Sequence, residues 1–281
     1  MIPRILSIAG SDSGGGAGIQ ADLKTMTALG CHAMTAITAI TAQNTLGVTA
    51  IQPIDLSVVR AQIDAVFSDI GVDSVKVGML ANAEIVHAVS ESMQKWKPQY
   101  LVVDPVLRAT SGADLGGDGV VDSMVDELFP LATLITPNLF EASAILGRSI
   151  TKANQLVDAG KDMIAKGVKA VLLKGGHLED DLAELVDVLV YQDKQEIKVR
   201  EYCHPRIETK NTHGTGCTLS SAIASYLAQG FELEDSVGKG IDYVQAGLRG
   251  ASSLKLGAGH GPLWHMHDFY PTALTGDKGK Y

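Results

Sequence analysis

Residues 211–225 read NTHGTGCTLSSAIAS, a run of small residues leading into a helix-patterned apolar stretch. Gly214, Thr215 and Gly216 let a ligand approach the backbone closely. The helix that follows offers unpaired N–H groups and a positive dipole end, which together make an anion site. Such a site suits the charge on a transferring phosphoryl group. Cys217 falls in the first helical turn, where some phosphotransferases would keep a carboxylate base. A helix N-terminus lowers a thiol pKa. Cys217 is therefore expected to be partly thiolate near neutrality, as proton acceptor or nucleophile, unless it serves only as a small buried hydrophobe. His213 beside it either steers a substrate or caps the loop.

Other candidates sit where apolar runs end. VVDPV puts Asp104 at a strand end, as a carboxylate for Mg²⁺ or as a turn residue. TPNLFEA sets Asn138 and Glu141 three apart at a helix start. There they face one way and either position a metal–phosphate unit or form a capping box. LLKGGH puts Lys174 before two glycines, where a cation neutralises phosphate or is simply solvated. GSDSGGGAGIQAD (10–22) follows the first apolar run and fits neither a G-x-G-x-x-G fingerprint nor a Walker A loop. His260, His265 and His267 show no catalytic-zinc spacing.

To bring these stretches together the chain needs elements that end side by side, and its periodicity supplies them. Strands are expected at 4–9, 32–41, 73–79, 100–106, 132–138 and 170–176. Helices are expected at 19–30, 56–70, 83–96, 118–129, 139–146 and 153–167. A hairpin is expected from 185–191 and 195–202, then helices at 218–230 and roughly 235–255. This alternation predicts a mostly parallel sheet with helices on both faces and ligands beyond the strands' carboxyl ends.

The 281 residues are 46% hydrophobic and 20% charged, an ordinary globular composition able to bury a large core. A net charge of −9 with no cluster of Lys and Arg argues against nucleic acid as partner. No run of 18 apolar residues suggests a membrane span. The apolar run near the start is too short for a signal peptide. Cys31, Cys203 and Cys217 are scattered and odd in number, so no disulfide framework is expected and a reducing cytoplasm is.

Taken in order, AGSDSGGGAGIQAD, AQNTLGV, VKVGML, DPVLRATSGA, TPNLFEA, VLLKGGHL, NTHGTGCTLSSAIA and GHGPL resemble the ribokinase-like superfamily. Within it they most resemble the hydroxymethylpyrimidine/phosphomethylpyrimidine kinases of thiamine biosynthesis, over roughly residues 4–270. The resemblance implies an α/β ribokinase-like fold: one kinase domain over 1–271, a central mostly parallel sheet flanked by helices on both faces, and a flexible tail at 272–281. It implies ATP and Mg²⁺ as cofactors, with a monovalent cation as an option. The expected assembly is a homodimer. The activity it implies is phosphorylation of the pyrimidine alcohol and then of its monophosphate.

By position, the resemblance gives Gln43 and the backbone near Gly10 and Ala17 to the aminopyrimidine. Asp22, Met79 and Val106 line that pocket. Gly214, Thr215, Gly216 and Cys217 form the anion hole with the base position. Lys174, Asn138 and Glu141 serve the ATP phosphates and metal, with Asp104 as a metal or water ligand and Thr209 near the nucleotide. The chain departs from the usual pattern at Gly14, Leu107, Arg108 and Phe140. Of these, Arg108 is placed to meet a phosphate. The nearest rival is a pyridoxal/pyridoxine kinase, although the Gln43 amide suits an amino group beside a ring nitrogen. A thiol hydrolase and a non-catalytic ligand sensor are the readings from other classes.

Overall fold

The computed structural model describes residues 1–109, 112–113, 115–176 and 184–270. The expected tail at 272–281 lies outside the described residues. So do positions 110 and 111 of the DPVLRATSGA stretch, position 114 just after it, and 177 and 178 of VLLKGGHL.

Arg4–Asp12 forms β1, which is buried along nearly its whole length, as an apolar run between two helical layers must be. Around it lie β2 (His32–Asn44), β3 (Gly47–Pro53), β4 (Ser74–Val77), β5 (Tyr100–Val103), β6 (Leu134–Ile135), β7 (Ala170–Leu173), β8 (Glu184–Asp193) and β9 (Glu196–Pro205). The sheet order is β3-β2-β1-β4-β5-β6-β7-β8-β9. The strands from β2 across β1 to β7 pair in parallel. β3 and the β8–β9 hairpin add antiparallel edges.

The chain runs from β1 to β2 on one side and then crosses to β4 on the other. The strand order therefore reverses at β1, and a crevice opens beyond the carboxyl ends there.

Successive side chains of β1 point to opposite faces. Leu6 and Ile8 join a core with Val59, Ile63, Ile85, Val89 and Met163. These come from α2 (Leu56–Asp69), α3 (Ala83–Trp96) and α6 (Leu156–Ala165). Ile5 joins the opposite core with Met26, Ile223 and Val237. Those belong to α1 (Gly18–Ala28), α7 (Thr215–Ala228) and α8 (Leu233–Gly250). Each such fully buried side chain contributes about 1.5–3 kcal/mol of transfer free energy.

Caps fix the helix starts near the site. The Asn82 side chain accepts from Ile85 N–H at 2.8 Å to begin α3. At α5 (Leu139–Leu146) Asn138 and Glu141 form a reciprocal capping box.

Three expectations change. β3 was not expected, because this edge strand is mostly exposed and carries no alternating pattern. The 132–138 strand shrinks to two residues, ahead of Pro137, which has no N–H to give a ladder. The 118–129 helix is one α turn, α4 (Val120–Ser123), followed by a π turn, and it closes at Phe129–Leu131, where Pro130 cannot continue it.

Candidate active site

The crevice holds two cavities, one behind the other. Gly10, Asp12, Ala17, Gln43, Met79, Val106 and His213 are among the residues that line the inner one. The outer one is lined by Asp104, Asn138, Glu141, Lys174 and Gly214–Cys217, among others. Val106, Arg108 and Cys217 line both, so the cavities meet there. The sequence expectations for Gly10, Ala17, Gln43, Met79 and Val106 thus converge on one pocket. Those for Lys174, Asn138, Glu141, Asp104 and the glycine loop converge on its neighbour.

The turn into α7 could be built only with glycine. Gly214 has φ +82°, and a Cβ there would fall 1.9 Å from the Gly16 carbonyl oxygen. No side chain caps the first turn of α7, so its N–H groups face the junction. A Cβ on Gly216 would stand 3.3 Å from Asp104 Oδ2 and 3.4 Å from Lys174 Nζ. The carboxylate and the ammonium therefore lie directly over the helix N-terminus.

Asp104 Oδ1 accepts from Lys174 Nζ and from Thr136 Oγ1, both at 3.0 Å. Burial works to lower the Lys174 pKa, but Asp104 and Glu141 outweigh it, so Lys174 stays charged. Burial pushes the Glu141 carboxyl up to about 7, against the pull of Lys174 and with the push of Asp104. Both carboxylates line the outer cavity. A pair of this kind suits Mg²⁺, which takes one or two carboxylates and completes its shell with phosphate and water. Among the described residues no group of three or more metal-binding side chains occurs, so the protein alone builds no metal cage.

Cys217 corrects the sequence expectation. Burial pushes its thiol up to about 11. Lys76 and the Gly18 N–H oppose this, while Asp22 and Asp104 add to it. Cys217 is a neutral thiol near pH 7, not a ready thiolate.

Asp22 is corrected too. It is fully buried and does not line the pocket. Its carboxylate takes Lys76 Nζ at 2.8 and 2.9 Å, Ser7 Oγ at 2.5 Å and Ser221 Oγ at 2.7 Å. It ties β1, β4 and α7 together beneath Cys217. Thr209 is likewise not among the lining residues of either cavity. Its hydroxyl accepts from Asn211 N–H at 3.1 Å.

Two charged residues, one lining the site and one buried beneath it, were not singled out from the sequence. Asp12 accepts from the N–H groups of Gly14, Gly16 and Ala17 at 2.8–2.9 Å and from His213 Nε2 at 2.9 Å. It shapes the glycine loop and fixes His213 against it. Burial alone would raise Asp12; His213 and the loop N–H groups bring it below the usual carboxylate range. Lys76 is fully buried within the β4 run. A lysine amid VKVGM was the available sign, since a buried charge needs a partner.

The C-terminal histidines are structural. His265 Nε2 lies 3.1 Å from Thr218 Oγ1, and His267 packs on Tyr243. The GHGPL segment straps two loops: His260 N–H reaches Thr45 O, and Gly261 O accepts from His213 N–H.

Glycine loops, a buried Lys–Asp pair over a helix N-terminus and paired cavities at a sheet's switch point define a kinase of the ribokinase-like class. The chain belongs to the phosphomethylpyrimidine kinase family, whose model matches residues 12–264. It is 45% identical to the hydroxymethylpyrimidine/phosphomethylpyrimidine kinase of Rhizobium meliloti, over 94% of this chain and 97% of that one. It is 46% identical to the thiamine biosynthesis bifunctional protein ThiED of Geobacter sulfurreducens, over 93% of this chain, and spans about half (52%) of that longer relative. The solved pyridoxal kinase of Bacillus subtilis, an ADP complex, has a TM-score of 0.84 at 34% identity over 94% of this chain and 98% of that one. No helix among the described residues is long and apolar enough to cross a membrane.

Proposed function

We propose that this protein transfers the γ-phosphoryl group of ATP, with Mg²⁺, to 4-amino-5-hydroxymethyl-2-methylpyrimidine and then to its monophosphate, serving thiamine biosynthesis. The observation that carries the reading is the pair of cavities joined at Cys217 and the first turn of α7. The pyrimidine takes the inner cavity, against Gln43, Met79 and Val106. The triphosphate takes the outer one, with its γ end at Gly214–Cys217. We place the enzyme in the cytoplasm as a homodimer, in line with its family resemblance.

Asp104 and Glu141 would hold the Mg²⁺, which supplies charge neutralisation on the phosphate oxygens when bound. Lys174 adds a second positive charge, and the N–H groups of the α7 turn add fixed dipoles. The acceptor oxygen forms a bond to the γ-phosphorus. The bond from that phosphorus to the β,γ-bridging oxygen breaks, and ADP leaves with the electron pair. The transition state is loose, so alignment counts for more than base strength.

In the first transfer the alcohol proton must leave, and Cys217 takes it. With the thiol pushed up to about 11, the thiolate is the minor form at neutral pH, but it is a strong base. In the second transfer the acceptor is already anionic and needs no base.

The test is ³¹P NMR on protein, Mg-ATP and the pyrimidine alcohol. A phosphomonoester resonance should rise and then give way to the paired resonances of a diphosphate ester. A monoester that accumulates without further conversion would remove the second step. No ADP formation at all would remove the reading.

A further inference from the structure

Arg108 lines both cavities, which it shares only with Val106 and Cys217 among their lining residues. It therefore stands where an acceptor group and a γ-phosphoryl group meet. Its guanidinium carbon lies 3.8 Å from the centre of the Phe140 ring. Both residues are exposed. Stacking engages the flat face of the guanidinium and leaves its N–H edge for a ligand.

The other lysines here are already balanced. Lys174 is paired with Asp104, and Lys76 with Asp22. Among the described residues, no carboxylate, carbonyl or hydroxyl accepts a hydrogen bond from Arg108. Arg108 and Phe140 lie 32 residues apart in sequence and touch in space.

The second transfer creates a need that the first does not. Its acceptor is a phosphomonoester carrying about −1.5 to −2 charges. That charge must sit beside a triphosphate and near the carboxylates Asp12, Asp104 and Glu141. A neutral alcohol brings no such cost. A guanidinium at the junction binds a phosphate through two parallel N–H donors.

We infer that Arg108 holds the phosphate of the monophosphorylated pyrimidine, and that Phe140 keeps the guanidinium in place for it. Arg108 is thus a specificity residue for the second transfer. The inference rests on the function proposed above.

The test compares wild type, R108Q, R108K and F140L with each acceptor at saturating Mg-ATP. Both positions are exposed, so the variants should fold; circular dichroism checks this. For R108Q the KM of the monophosphate should rise about 10–100-fold, the loss of one charge-assisted contact. The KM of the alcohol, which brings no charge to the junction, should rise at least about tenfold less than that of the monophosphate. R108K should recover part of the loss, since it keeps the charge but not the flat fork. F140L should lose less than R108Q, in the same direction. Equal losses on both acceptors, or a shared rise in the KM of ATP, would overturn the inference and leave the proposed function standing. A wild type that phosphorylates the alcohol but never the monophosphate would sink both the second step and this role for Arg108.

Discussion

Two effects compete at Cys217. The α7 N-terminus favours a thiolate by its dipole, and enclosure disfavours any charge. Burial pushes the thiol up to about 11, against Lys76 and the Gly18 N–H. The alkylation rate of Cys217 by iodoacetamide in the ligand-free protein should therefore keep rising beyond pH 9, with its midpoint above that of an ordinary thiol. Cys203, which is exposed, and Cys31 are removed by substitution for the measurement. A midpoint below pH 8 would mean that the dipole prevails. The same argument makes Cys217→Ala slow the first transfer about 10²-fold, the scale of general-base catalysis, and slow the second far less. Equal losses in the two steps would contradict a proton-accepting role.

The buried Asp22–Lys76 pair holds the elements that bring the site together. Lys76 on β4 and Ser7 on β1 meet the Asp22 carboxylate of α1, and Ser221 joins them from α7. Replacing Lys76 with Met leaves a buried charge without its partner and should destabilise the fold by about 3–5 kcal/mol in urea titration. Adding Asp22→Leu to that variant should recover much of the loss. A single-variant cost under about 1 kcal/mol would mean the pair is not held as described.

Legibility in the sequence follows from how local each cause is. The helices at 83–96 and 139–146 were readable to the residue, because Asn82 and Asn138 cap them within four positions. The turn into α7 was readable from Gly214, Thr215 and Gly216 alone. The place of Asp22 was not, since its partner stands 54 residues away and Ser221 stands 199 away. The sulfur's ionisation was not readable either. It depends on what covers Cys217, and the dipole is the only part of that balance written next to it in the chain.

On the scale of the whole molecule, the switch in strand order at β1 gathers loops from both halves of the sheet over one helix end. In the proposed reading the inner cavity takes the acceptor and the outer one the donor, so the choice between a pyrimidine and a B6 ring rests on Gln43, Met79 and Val106. The most direct test is a coupled ADP-release assay with Mg-ATP that offers the hydroxymethyl pyrimidine, its monophosphate, pyridoxine and pyridoxal side by side. The account predicts turnover of both pyrimidines, with kcat/KM at least about tenfold above that of either B6 vitamer, the size of one well-placed hydrogen bond to a polar group. A kcat/KM for pyridoxal that equals or exceeds that of the pyrimidine alcohol would contradict it.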